Sequence, residues 1–445
     1  MSTNVEIVGS YLAEFERIKK SLNGEKSSQI FVKKQQAIEF VEKLGIPTRK
    51  HEEWRFTNLS FLNKSDFLPV NVVDDVSFEK RDVEKHFIEG YGNYRLVFVN
   101  GCFSEKLSSI NTEKNEIIVG SLKEFLAKDF APAIENFSKF INNENSFFSS
   151  LNTALSPDGA FVYVHDGIAE SEPIQLLFLN DGRETSPFVQ ARNLLVVGEN
   201  SQVKIICRYA TIGENDAFVN IVTECKEDRY ANIELYGIHD DEKSFYINTT
   251  EVNQQESSVF NDYKVNIKGK FVRNDLNSKL DGEHCEANLN GIYYLTGKDF
   301  ADNHTLIDHA KPNSNSNEFY KGILDDSSSA VFNGKIYVRQ DAQKTNAFQT
   351  NRNVLLSDNA KINTKPQLEI FADDVKCSHG ATSGALDESS MFYLQSRGIS
   401  RDDAKSMLIM AFANDLIDKF NLPELQKTIR SEISNRLGIH FEEII

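Results

Sequence analysis

The chain has 445 residues, 40% of them hydrophobic and 26% charged, with 32 Phe and 14 Tyr; this is too apolar and aromatic for a disordered chain, and long enough for two or three folded parts. A net charge of −17, from 49 basic and 66 acidic side chains without a concentrated basic tract, disfavours nucleic acid or an anionic membrane as the main partner. The five cysteines (Cys102, Cys207, Cys225, Cys285 and Cys377) are scattered and never form a CxxC pair, which argues against a disulfide framework or a self-contained zinc or iron-sulfur site and fits a reducing compartment.

The amino terminus lacks the apolar core of a signal peptide, and no segment offers 18 uncharged apolar residues, so a cytoplasmic location is expected. Val8, Tyr11, Leu12, Phe15, Ile18 and Leu22 recur at three-to-four spacing and predict an amphipathic helix that Asn23-Gly24 ends. A second helix is predicted from about Ser28, stopping at Gly45 before Pro47. From Trp54 to about Ile118 the pattern is mixed, with Arg95 to Val99 a strand candidate; helical character returns over Ser121 to Phe140. Residues 1–150 therefore read as a helical and mixed domain.

Near Ser156-Pro157-Asp158-Gly159 the pattern changes, and for roughly 220 residues no helix is predicted, a run too long for loop. Strand candidates recur at Phe161 to His165, Gln175 to Leu179, Val203 to Cys207, Asn232 to Ile238, Val331 to Val338 and Ile362 to Phe371, separated by Asn, Asp, Gly and Ser clusters. Two-residue hairpin turns are scarce. A parallel β-helix over 151–383, in which each strand pairs with the strand one turn later, meets these conditions; a β-sandwich or jelly roll fits the same alternation. After Gly384 helices return: Leu386 to Gln395, a second starting at Ser400 with the apolar stripe Ala404, Leu408, Ala411, Phe412, Leu416 and Phe420, and a last from Glu424 to Leu437. Residues 384–445 read as a helical domain, and the helices at both ends are expected to cover the open sheet edges.

Nucleotide-binding and hydrolase signatures are missing. The segment Gly291 to Asp299 has the wrong glycine spacing for a P-loop, and Asp299 stands where a magnesium-binding hydroxyl is needed. The densest unusual segment is Ala372-Asp373-Asp374-Val375-Lys376-Cys377-Ser378-His379-Gly380-Ala381-Thr382. On a strand, Cys377 and His379 share one face about 7 Å apart, a thiol and an imidazole suited to a borderline-soft metal such as ferrous iron. Two ligands do not complete a site. The bland alternative makes Cys377 a small buried hydrophobe and His379 a hydrogen-bonded end-cap residue. His304 and His309, five apart, fall on opposite faces of a strand, as do His284 and Cys285, so structural or surface roles are expected for them.

Thr364-Lys365-Pro366-Gln367-Leu368-Glu369-Ile370, the segment from Ala372 to Thr382, Phe392-Tyr393-Leu394 and Ser396-Arg397-Gly398-Ile399 together resemble the SufD proteins of the SUF iron-sulfur cluster assembly system, within the SufB/SufD family. Tyr320 to Leu324, Phe332 to Ile336 and Glu53-Trp54-Arg55 with Thr57 are similar to that family upstream. SufB-like proteins carry cysteine and a Glu-containing segment where this chain has Asn351 to Pro366 and Ser378-His379-Gly380, which favours the SufD side.

The resemblance implies a right-handed parallel β-helix flanked by helical domains. It implies a non-enzymatic scaffold that meets SufB through the carboxy-terminal ends of their β-helices and docks the ATPase SufC on its terminal helices. It also implies His379 at the shared interface with Cys377 in support, and Tyr393, Leu394, Arg397 and Ile399 where SufC binds. Iron or a nascent cluster would be transient and shared with SufB, with no cofactor held tightly by the lone chain. A homodimer through the surface meant for SufB is a further expectation for the chain alone. The rival readings are a structural adaptor without metal contact and, more remotely, a carbohydrate-active β-helix enzyme.

Overall fold

The computed structural model describes residues 2–21, 29–63, 66–69, 78–111 and 117–438. Helices form at Ser2–Ser21 and Gln29–Leu44, where the three-to-four spacing predicts them. The second ends at Gly45, whose φ of 63° suits a residue without Cβ. The stop expected at Asn23-Gly24 lies outside the described residues.

From Ala160 the chain coils. Successive strands alternate between two sheets, and within each sheet every strand pairs in parallel with the strand one coil later. The first sheet runs from Ala160–Val164 through Pro187–Val197, Ala217–Glu227, Ser244–Gln254, Phe271–Leu280, Phe300–His309 and Ser329–Val338 to Lys361–Ile370. The second runs from Ile174–Gly182 through Gln202–Gly213, Asn232–Asp240, Val259–Lys268, Glu286–Leu295, Asn315–Leu324 and Asn346–Leu355 to Lys376–Gly384. This is a β-solenoid of about eight turns with 43% of residues in strands, which selects the parallel β-helix over the sandwich.

The corner from the first sheet to the second repeats in each coil. Asn200, Tyr230, Ser257, His284, Asn313 and Lys344 all hold φ between 57° and 63°, a left-handed conformation that redirects the chain in one residue. The next residue is small and fully buried each time: Ser201, Ala231, Ser258, Cys285, Ser314 and Thr345 are all 0% exposed. Cys285 is therefore one member of a run of small corner residues. Its thiol lies 3.1 Å from Gln255 O, and the adjacent His284 is exposed; both sit in the corner rather than on the strand expected for them, so the left-handed turn and not strand alternation separates them.

The outer face of the first sheet carries a phenylalanine ladder. Phe188, Phe218, Phe245 and Phe271 are in-register neighbours, and Phe300 stacks on Phe271 at 5.2 Å. Phe61 stacks on Phe245 at 4.4 Å and Tyr11 on Phe188 at 5.1 Å, so the amino-terminal helices bury this face. Helix Phe147–Leu155 joins that cluster. Every one of its residues is buried: Phe147, Phe148, Leu151, Ala154 and Leu155 line one face, and Ser149, Ser150, Asn152 and Thr153 the other. On the second sheet, Ile206, Tyr236, Ile238, Tyr263 and Val265 pack against Ile409, Leu416, Leu425 and Ile429 of helices Arg401–Ile417 and Pro423–Arg436 and against Phe420 in the turn between them. Ion pairs fix the seam: Arg208 reaches Glu432 at 2.7 Å, Lys321 reaches Asp415 at 2.6 Å and Arg436 reaches Asp299 at 3.1 Å.

The helices thus cover faces rather than the expected edges. An apolar stripe matches an apolar sheet face, whereas a strand edge presents N–H and C=O groups that need hydrogen bonds. At the amino-terminal end strands do the covering: Ile117–Ser121 pairs with Ala160–Val164, and Tyr94–Val99 with Ile174–Gly182. At the other end, no further strand among the described residues pairs with Lys361–Ile370 or Lys376–Gly384, and Lys376–Gly384 is exposed over almost its whole length.

Replacing a central rung of the aromatic ladder leaves a cavity between sheet and helices. Phe218→Ala is expected to cost about 3–5 kcal/mol, read as a lowered urea midpoint, while Phe392→Ala, at a residue 74% exposed, leaves the midpoint unchanged.

Candidate functional site

The interior between the two sheets is mainly apolar and carries buried polar groups along its length, among them Asn193, which donates to Thr223 at 3.1 Å. Asn248, Asn274 and Asn303 form an in-register amide ladder, with contacts of 3.2 and 3.0 Å. Lys264 pairs with Asp262 at 2.8 Å inside the coil, over Gly237, where a Cβ would lie 3.2 Å from the lysine chain. Farther along, Tyr293 Oη donates to Asn353 Oδ1 at 2.5 Å. Burial pushes the carboxyl of Glu318 up to about 7, against the hydrogen bonds from Gln349 and Thr305 that favour its ionised form.

Cys377 and His379 stand on the last strand, Lys376–Gly384, where their in-register partners are Ala347 and Gln349. Ala347 and Gln349 are buried in the interior, whereas Phe348 between them is exposed. Alternation therefore turns both Cys377 and His379 toward the solenoid axis, as the spacing predicts. No further coil follows, so His379 is exposed although it belongs to an inward column, and Cys377 is half-buried. Burial pushes the Cys377 thiol up from its ordinary range, which disfavours the thiolate a metal needs. Among the described residues no three His, Cys, Asp or Glu side chains gather into a metal site. Ala372, packed with Ile336, Val338 and Ala342, anchors the turn that delivers the strand.

The other histidines have structural partners. His304, on the outer face of Phe300–His309, meets Asp302 at 2.9 Å and Glu53 at 3.3 Å. Arg273 reaches Asp302 at 2.6 Å and lies 3.9 Å from the Trp54 ring centroid, and Thr57 donates to Asp302. The segment Glu53-Trp54-Arg55 with Thr57 is therefore a clamp that holds the amino-terminal segment on the first sheet. Burial opposes ionisation of Asp302, yet His304 and Arg273 hold its carboxyl down at about 2. His309 faces inward, 2.8 Å from Ser316 Oγ, and burial pushes its imidazole down to about 4.

Beyond the solenoid, helix Glu388–Ser396 is capped by Asp387, which accepts from Ser390 N at 2.9 Å. Met391 is its buried anchor. Tyr393 is 57% exposed, with the Arg397 guanidinium 5.3 Å from its ring centroid, while Leu394 and Ile399 are half-buried. Phe392, which carries part of the resemblance but is not among the residues it places at SufC, is at 74% the most exposed large apolar side chain among the described residues. The run Met391 to Leu394 carried a signal, since one helical face can bury only part of four consecutive apolar residues.

Residues 5–176 match the SufBD protein N-terminal region, and residues 178–412 match the SufBD core domain of SUF system FeS cluster assembly. The chain belongs to the SufBD family. It is 36% identical to an iron-sulfur cluster assembly SufBD family protein of Synechocystis sp., over 93% of each chain. It is 31% identical to the iron-sulfur cluster assembly protein SufD of Escherichia coli, over 91% of this chain and 92% of that one. With SufD of Bacillus subtilis the identity is 25%, over 90% and 92%. It is accordingly a SufBD family protein of iron-sulfur cluster assembly. No helix of the described residues is long and apolar enough to cross a membrane.

In this SufBD family protein the interior acid gives a measurable signature. Because the folded carboxyl of Glu318 sits at about 7, above its unfolded value, the stability it contributes is present below about pH 4.5 and is lost as pH rises through 7. Relative to Glu318→Gln, the wild-type unfolding midpoint is expected to fall between pH 5 and pH 8; parallel pH profiles for the two proteins would contradict this.

Proposed function

We propose that this chain is a non-enzymatic scaffold subunit of iron-sulfur cluster assembly, supplying His379 to a site completed by a SufB-type partner. The observation that carries this reading is the open end of the solenoid, where an inward-facing imidazole is exposed beside two unpaired strand edges. Such edges offer a row of backbone donors and acceptors to another chain. A neutral imidazole is a suitable ligand for iron. Cys377 takes a supporting part, since burial favours its protonated thiol.

Energy enters from a separate subunit in this reading. The exposed Phe392 and Tyr393, with Arg397 beside the tyrosine, form an apolar and cationic patch suited to a SufC-type ATPase, with Leu394 and Ile399 supporting it from beneath. Movement there reaches the site only if the two states differ in contacts at the solenoid end. The helices at residues 401–436 lie along the second sheet, which gives a rigid element between the two places.

His379→Ala is expected to leave the fold and ATPase binding intact and to lower cluster formation in cells by at least tenfold. Tyr393→Asp is expected to do the reverse, weakening ATPase binding while the lone chain folds normally. Iron measured in complexes purified with both partners separates a ligand from an adaptor: equal iron in wild type and His379→Ala would leave only the adaptor.

A further inference from the structure

The inward column that ends at His379 is polar over its last three rungs. Glu318, Gln349 and His379 are successive in-register partners on three neighbouring strands, stacked at the interstrand spacing of about 4.8 Å. Glu318 and Gln349 are 0% and 2% exposed. Glu318 Oε2 accepts from Gln349 Nε2 at 2.6 Å and from Thr305 Oγ1 at 3.0 Å.

Those bonds fix which way the Gln349 amide points. Above pH 7, where the Glu318 carboxyl is ionised, its oxygen takes the NH2 end and cannot take the carbonyl end. The carbonyl Oε1 is left buried and without a hydrogen-bond partner, a costly state for an acceptor. Room for the arrangement comes from Gly334 on the opposite strand, where a Cβ would stand 2.1 Å from Gln349 Nε2 and 2.8 Å from Glu318 Oε2. The next inward side chain along the column is the imidazole of His379.

We propose that Gln349 is the positioning residue for His379: its amide oxygen accepts the N–H of the imidazole one rung on, with Glu318 and Thr305 holding the amide in that orientation. The bond selects one tautomer, so the other ring nitrogen carries a lone pair directed out of the open end. A histidine that binds metal through one nitrogen and donates from the other to a carbonyl is held in both tautomer and orientation. This assignment rests on the reading of His379 as a ligand, but it is a statement about the lone chain and can fail separately.

The test is nitrogen NMR of the full chain labelled with ¹⁵N-histidine at pH 8, with the His379 signals identified by their loss in His379→Gln. Wild type is expected to show one tautomer. Gln349→Met, of similar volume but without the acceptor, is expected to collapse the ring shifts to the averaged mixture of a free imidazole, while the signals of His304 and His309 stay in place. The double substitution Glu318→Gln with Gln349→Glu moves the carboxylate one rung outward, keeps an acceptor under the ring and is expected to restore the single tautomer. A tautomer mixture at His379 in wild type, or a single tautomer unchanged in Gln349→Met, overturns the assignment while leaving the ligand reading untouched. If Gln349→Met does not fold, the double variant decides: a mixture there overturns the assignment as well.

Discussion

In-register parallel stacking governs this molecule. Each inward or outward position forms a column running the length of the solenoid, so every side chain must fit the ones a coil before and after it. Outside, the constraint yields a phenylalanine ladder on one sheet and an isoleucine and tyrosine surface on the other, each matched by helices. Inside, it yields amide ladders, stacked rings such as Phe178, Tyr209 and His239, and glycines opposite some long side chains. Gly291 shows how tight the fit is, because a Cβ there would stand 2.3 Å from the ring of Tyr320.

A column must also stop somewhere. Where the coil ends, residues that would be interior in any earlier turn face solvent, and the last strands keep unpaired edges. The amino-terminal end solves this with the strands Tyr94–Val99 and Ile117–Ser121, whereas among the described residues no strand covers the carboxy-terminal end. In the proposed reading, the polar groups of the last coils lead to a surface where a second chain completes both the sheets and the site.

The strand content, the change of pattern near Ser156, the terminal helices and the shared face of Cys377 and His379 were legible, because period-two and period-3.6 patterns survive wherever one face is buried and the other is not. Of the strands missed by that reading, Pro187–Val197 is buried from end to end, which erases the alternation, whereas Phe271–Leu280 and Phe300–His309 alternate in burial but place Asn274, Ser278, Asn303, Thr305 and His309 inward, so their sequences show no apolar period. Helix Phe147–Leu155 carries a one-sided apolar stripe, but over only nine residues, too short a run for its period to stand out. The corner was hidden differently: Tyr230 and Lys344 take a left-handed conformation that neither residue type advertises, so only the small buried residue after it betrays the repeat. At the site, sequence spacing could pair Cys377 with His379 but could not find Gln349 and Glu318, which lie one and two coils away.

The central claim is that this chain contributes an imidazole to an iron or cluster site shared with a partner. The most direct measurement is pulsed electron paramagnetic resonance of the reduced, reconstituted complex in which only this chain carries ¹⁵N-histidine. The account predicts a ¹⁵N coupling typical of a metal-bound imidazole that disappears in His379→Ala. A cluster formed in full yield with no ¹⁵N coupling from this chain would contradict it.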